Sequence, residues 1–426
     1  ALGTAANMDL KSVMNSWLEQ PGYPVLTAAV VDGQLTVTQQ QFFIGDGTDA
    51  KRQWQVPLSS NYAEVPELLT APQVTLGTYA DLRQANGQPF RLNVGNNSHA
   101  IVKYDDTLLA DILDHITELT AIDQLQLLQD QRLLAEGRQI SYADVVALLP
   151  RFAASEATVV NDALYQVAGN LKKFVTPDSD AEKQLQQFFD RLSAAQVDRL
   201  GWTPKAGESN DDQLTRPYVL SAALYAKNAQ SVAAAHELFT ANRDNLAGLP
   251  AATRYYVLAN EVTNFSDATV FDQLLTDYRQ ATDASYKADL CAAMTTTPDA
   301  KLIAKLIAVF EDAATVKPQD LRAWYRGVLA NAKGQQAAWD WIRQDWDWLE
   351  ATVGGDMEFT TFITVTAAIF HTPERLAEFK EFFEPKIPTP GLGREIKMDT
   401  KVIASRVALV EDEKAAVNAA VAQVVQ

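Results

Sequence analysis

Catalytic chemistry needs side chains that converge, and the first candidate in this chain is His236-Glu237-Leu238-Phe239-Thr240. A helical zinc hydrolase sets two histidines at i and i+4, so that both imidazoles meet one metal, with a glutamate between them as general base. Thr240 stands where the second histidine belongs, and His99, His115 and His371 are far away on other predicted elements. His236 therefore reads as a helix histidine, and no metal or other cofactor is expected in this chain. Cys291 has no basic neighbour in sequence and lies in an Ala-rich stretch, which describes an inert thiol. Gly391-Leu392-Gly393-Arg394-Glu395-Ile396 lacks the third glycine of a dinucleotide loop and follows prolines instead of a strand. There is no Walker loop, nucleophile elbow or EF-hand, and Asp46-Gly47-Thr48-Asp49 reads as a turn. Trp324, Trp339, Trp341, Trp346 and Trp348 crowd one stretch. Trp339, Ile342, Trp346 and Leu349 recur at helical spacing, which favours a packed core over a ligand platform.

Composition narrows the partners. The 426 residues carry 36 Lys+Arg against 54 Asp+Glu, a net charge of -18 that repels phosphate backbones, so nucleic acid is excluded as a partner. One cysteine allows no internal disulfide and suits a reducing compartment, and the expected location is the cytoplasm. No apolar run reaches membrane-spanning length, and the first residues lack an export signal's pattern, so no membrane is expected. The first residue is Ala and the first methionine is Met8, which raises the possibility of processing, or of a cut from something longer.

The elements that must position any site come in two kinds. Up to about residue 105 the apolar pattern has period two and six of the 17 prolines occur. Strands are predicted at Tyr23 to Val31 and Gln34 to Phe43 around an Asp32-Gly33 hairpin turn, then at Gln53 to Leu58, Gln73 to Tyr79, Pro89 to Val94 and His99 to Tyr104, as in a sandwich. From Thr107 onward Leu108, Leu109, Ile112, Leu113 and Ile116, then Ile122, Leu125, Leu128 and Leu133, follow helical spacing. Helix starts are read at Ser141-x-x-Asp144, Ser266-Asp267, Thr297-Pro298 and Thr372-Pro373, and stops at Gly137, Gly248 and Gly334. Pro385 to Gly393 reads as a loop before a final helix pair from Met398 to Val425. The result is a multidomain chain: a small N-terminal β-sandwich, then a large all-α superhelical domain of irregular HEAT/armadillo-like type, preferred over a bundle because no helix looks long enough to run through one.

Met14-Asn15-Ser16-Trp17-Leu18-Glu19-Gln20-Pro21-Gly22-Tyr23-Pro24-Val25 resembles the Met-x-x-Trp-x-x-Gln-x-Gly-Tyr-Pro-Val segment of the aminopeptidase N family, where the catalytic domain passes into a β-sandwich. Weaker matches follow in the same order: Leu128 to Gly137, the Glu156 region, Leu249-Pro250 with Arg254-Tyr255-Tyr256, Pro318-Gln319-Asp320, and Asn331-x-x-Gly334 with Trp339 to Trp348. The resemblance implies the C-terminal half of a bacterial zinc aminopeptidase, with residues 1–19 ending the catalytic domain, 20–105 the β-sandwich and 106–426 the helical superhelix. It further implies that this half caps a peptide-degrading cleft, and that the zinc and its catalytic residues belong to a missing catalytic domain of the same polypeptide. The matched segments put forward Arg216, Arg254, Lys317 and Arg322 as cations for a peptide's C-terminal carboxylate, with a structural ion pair as the weightier alternative for each. Gly355-Asp356-Met357-Glu358-Phe359 departs at Phe359 from the family's Gly-x-Met-Glu-Asn amine-binding signature and reads as a loop. The competing reading is a free-standing helical-repeat scaffold that binds proteins without catalysis.

Overall fold

A computed structural model describes residues 9–45, 47–48, 50–265, 267–355 and 359–426. Met8, Asp46, Asp49, Ser266 and Asp356-Met357-Glu358, all named above, lie outside them, as does the rest of 1–7. The chain divides into two units, one of Ala1–Lys172 with Ala415–Val424 and Gln426, the other of Lys173–Lys414 with Val425.

In the first unit, strands β1 (Pro24–Val31), β2 (Gln34–Gln41), β3 (Val56–Pro57), β4 (Leu68–Leu69), β5 (Gln73–Thr78) and β6 (Ile101–Tyr104) form two sheets. The larger has the order β5-β2-β1-β6, with β1 antiparallel to β2 and parallel to β6, and β3 pairs with β4 in the smaller. The β1–β2 turn has two residues, and Asp32 (φ 49) and Gly33 (φ 76) both take the left-handed conformation that a type I′ turn requires. Leu26, Ala28, Leu35 and Val37 share a core with Val56 and Leu69 from the smaller sheet and with Trp54 just before it, so the expected sandwich is present in reduced form. Val25 and Ile101 instead meet Phe42 and Leu134, the latter on the helix Ala121–Glu136. The large sheet is thus covered on both faces at β1 and β6, whereas the edge strand β5 has no buried residue.

The predicted strand Pro89 to Val94 does not form. Pro89 has no N–H to offer a ladder, and this backbone is satisfied by side chains: Asn61 bonds Pro89 O and Arg91 N, the Ser60 hydroxyl donates to Arg91 O, and Leu92 N donates to the Tyr104 hydroxyl. Only one isolated bridge, Ser60 to Leu92, remains. A helix at Tyr79–Asn86, ended by Gly87 at φ 78, was not anticipated.

The Met14 to Val25 segment is a joint. From the helix Leu10–Leu18, Trp17 Nε1 donates to Gln55 O at 2.9 Å and Ser16 Oγ accepts Gln55 N at 3.0 Å, while Gln20 Nε2 reaches Gln53 O at 2.8 Å. Tyr23 packs on His99 and Phe42 with ring centroids 4.7 and 5.6 Å away. Gly22 at φ 91 turns the chain from the helix into β1.

The second unit is a stack of helices in two rows. Asn210–Tyr225, Ala251–Asn264, Ala284–Met294, Pro318–Ala330 and Thr361–Ile369 contact one another in succession, while Ala229–Ala241 and Ala268–Gln280 pack against the members next to them. Contacts that run mostly between helices near one another in sequence are what a superhelical stack requires. Caps explain many starts: Thr372 accepts from Arg375 N, Asp267 from Thr269 and Val270 N, and, in the first unit, Ser141 and Asp144 make a capping box. Three details differ from expectation. Asp299, with two backbone bonds, caps Ala300–Val309 in place of Thr297; Gly334 precedes Gln335–Gln344 instead of ending a helix; and the C-terminus is one 33-residue helix, Gly393–Val425, instead of a pair. No Pro or Gly interrupts the chain after Gly393, so nothing forces the final helix to break.

Trp324, Trp339, Trp341 and Trp346 are buried, although the helix breaks at Asp345 between the last two. Trp339 packs edge-on against Phe370 and Phe382, and Trp346 against Phe382 and Phe383, making an aromatic core.

Candidate functional site

Among the described residues no three His, Cys, Asp or Glu side chains gather as metal ligands. His236 pairs with Glu261 across two helices, Nδ1 to Oε2 at 2.7 Å, and stacks on Phe265 at 4.0 Å. The buried Cys291 thiol is pushed up from its ordinary pKa by burial first and by Asp320 second, so it stays protonated and unreactive.

The four candidate cations are not gathered at one site. Arg216 is 1% exposed and ion-paired with buried Glu208. It also donates to Gly201 O at 3.0 Å and Leu200 O at 3.3 Å, closing the C-terminus of the helix Asp180–Leu200. Arg254 is equally committed: Nε meets Asp289 Oδ2 at 2.6 Å, Nη1 donates to Ala247 O, Nη2 to Ser285 Oγ, and the guanidinium lies over Tyr286. Burial pushes the Asp289 carboxyl up despite that arginine, which opposes the shift. Arg322 is half-buried on the helix Pro318–Ala330.

Lys317 is different. It is exposed and lines a cavity of about 280 Å³ between the helices Ala268–Gln280, Ala284–Met294 and Pro318–Ala330. The floor is the edge-to-face pair Tyr278 and Trp324, centroids 4.9 Å apart, with Trp324 Nε1 donating to the Tyr278 hydroxyl at 3.2 Å. Burial raises the Tyr278 phenol to about 12, so it remains neutral. Lys287 extends over the Tyr278 ring at 4.5 Å and is the second cation of the lining, against one carboxylate, Asp320. Lys287 carries no family match, and only its position one helical turn into Ala284–Met294 could have suggested it. Two lysines in the lining of a cavity with aromatic rings can hold a carboxylate and an apolar side chain together. The Cys291 thiol also lines the cavity and is kept protonated by burial, so the chemistry the lining offers is that of binding groups.

Residues 90–405 match the family model described as ERAP1-like C-terminal domain, and the chain belongs to that family. It is 58% identical over its whole length to aminopeptidase N of Lactobacillus helveticus and 52% identical to aminopeptidase N of Lactobacillus delbrueckii subsp. lactis, covering 50% of each. Aminopeptidase M1 of Arabidopsis thaliana is 28% identical over 93% of this chain and 47% of its own length. The chain thus spans about half the length of these relatives. No described helix is long and apolar enough to cross a membrane.

Proposed function

We propose that this chain is the non-catalytic C-terminal portion of a cytoplasmic zinc aminopeptidase, capping the active-site cleft, limiting access to it and helping to bind peptide. The observation that carries the reading is the family match across 90–405 together with near-complete alignment to aminopeptidases twice as long. Residues 1–19 then end the catalytic domain, 20–105 form the β-sandwich and 106–426 the superhelix. On this reading the zinc that such peptide hydrolysis uses belongs to the other half; the lack of a cluster of three His, Cys, Asp or Glu among the described residues is in keeping with it. Of the candidate cations, Lys317, exposed and with Lys287 beside it in the cavity lining, is offered to a peptide's C-terminal carboxylate, whereas Arg216 and Arg254 already bond carboxylates and carbonyls.

The test compares this chain alone with the chain extended through the absent half, measuring hydrolysis of leucine and lysine anilides and bound zinc. Only the extended protein is expected to hold zinc and cleave. Cleavage by the short chain with stoichiometric metal refutes the reading, and an extended protein that neither binds zinc nor cleaves leaves the helical scaffold in its place. In the extended enzyme, Lys317→Glu raises KM for peptides with a free C-terminus by roughly 2- to 10-fold, the worth of one charge-assisted contact, and leaves anilide hydrolysis unchanged.

A further inference from the structure

The helix Ala121–Glu136 carries a buried polar stripe. Asp123, Gln126 and Asp130, at i, i+3 and i+7, share one face and are all buried, although the surrounding residues are mostly leucines. They line a small recess of about 20 Å³ together with Arg91, Leu92, Tyr104, Ile112, Leu119 and Leu127. That volume suffices for one water molecule, and the polar lining supplies its partners.

The two carboxylates are served unequally. Asp123 accepts from Arg91 Nη1 at 2.8 Å, from Gly95 N at 2.9 Å and from the Thr120 hydroxyl at 2.8 Å, a full complement that includes a positive charge. Among the described residues Asp130 accepts only from Val102 N at 3.1 Å and Gln126 Nε2 at 3.2 Å, both on Oδ2. Its first bond joins the helix to strand β6, beside the packing of Leu134 on Ile101. The one cation of the cavity, Arg91, is bonded to Asp123.

We propose that Asp130 is a proton-gated latch: as the neutral acid, with one water in the cavity, it holds β6 to the helix Ala121–Glu136, and as the anion it lets them part. A buried anion with two neutral donors and no counter-charge is unstable, whereas the acid adds a donor of its own for a water in the recess. Burial raises the Asp130 carboxyl to about 8, the Val102 N–H and Gln126 amide pulling it down less strongly, with no neighbouring charge among the causes. The titratable and charged groups around it are Tyr104 on β6, Tyr23 before β1, Arg91 beside the cavity, and Asp123 and Arg132 on the same helix. Tyr23 and Tyr104 are themselves raised by burial, so the window belongs to Asp130.

The sign follows from linkage. A carboxyl whose pKa is higher in the folded than in the unfolded chain stabilises the fold at low pH, and that stability drains away as pH rises towards the folded value. The unfolding constant of the wild-type chain, divided by that of Asp130→Asn at the same pH, therefore climbs by up to tenfold per pH unit between about pH 5 and about pH 8, then levels. Hydrogen exchange at the Val102 amide, corrected for base catalysis, accelerates over the same range in the wild type only. A ratio that does not change with pH overturns the proposal. Should Asp130→Asn fail to fold, infrared spectra of wild-type chain labelled with ¹³C-aspartate decide the matter: a protonated-carboxyl band at neutral pH, lost on alkalinisation, is expected, and its absence overturns the latch.

Discussion

Replacing Arg216 with methionine separates a structural arginine from one that faces substrate. The variant keeps the apolar stem but deletes a guanidinium that is 1% exposed, leaving Glu208, whose side chain is 4% exposed, without its counter-charge. The carbonyls of Leu200 and Gly201, at the end of the helix Asp180–Leu200, lose their donors too. Removing one partner of a buried ion pair costs about 3–5 kcal/mol, because the orphaned charge keeps its desolvation penalty and gains nothing in return. At about 2–4 °C per kcal/mol for a unit of this size, the thermal midpoint falls by roughly 6–20 °C. Arg216→Met combined with Glu208→Gln removes the orphaned charge and regains more than half of that loss, since a neutral replacement of a buried pair is often near-neutral overall. Circular dichroism melts and urea titrations followed by tryptophan fluorescence give both numbers. If Arg216→Met melts within about 1 °C of the wild type, as a surface substitution does, while weakening peptide binding, the structural account of Arg216 is wrong.

Two further outcomes test local claims. Cys291 is expected to resist a disulfide reagent in the native chain at about pH 8 and to react stoichiometrically after unfolding, because burial keeps its thiol protonated; rapid native labelling contradicts that environment. Gly22→Ala lowers stability by about 1–3 kcal/mol in a denaturant titration, since alanine at φ 91 is strained and its Cβ would come within 2.7 Å of the Gln41 amide, whose oxygen is already bonded to Arg52; an unchanged midpoint removes the turn from the account.

The order of elements was legible because hydrophobic period is a local property. β1 and β2 were readable from alternation and from Asp32-Gly33, whose backbone conformation is a direct consequence of residue type. The false strand at Pro89 to Val94 shows the limit: Phe90 and Leu92 alternate inward as a strand would, yet Asn61 and Ser60, about thirty residues earlier, take the hydrogen bonds a neighbouring strand would need. Alternation records which side chains are buried and is silent on what satisfies the backbone. The missed helix Tyr79–Asn86 has no buried residue, so it left no apolar stripe to read.

Sites were less legible for a related reason. A charged residue looks the same in sequence whether it meets solvent, substrate or a buried partner, and Glu208 and Asp289 became visible as partners of Arg216 and Arg254 only once the helices were stacked. Lys317 shares a cavity lining with Lys287, which lies over the Tyr278 ring, and that neighbour too became visible only once the helices were stacked. The stripe of Asp123, Gln126 and Asp130 did leave a trace: polar residues at i, i+3 and i+7 along a leucine-rich helix repeat on one face as regularly as a core does. Such a face meets either solvent or a buried polar partner, and Leu134 on the same helix packing beneath Val25 and Ile101 of the sheet removes the first option. A helix whose leucines spread around most of its circumference is enclosed on most sides, and any polar stripe it carries must be satisfied inside the protein.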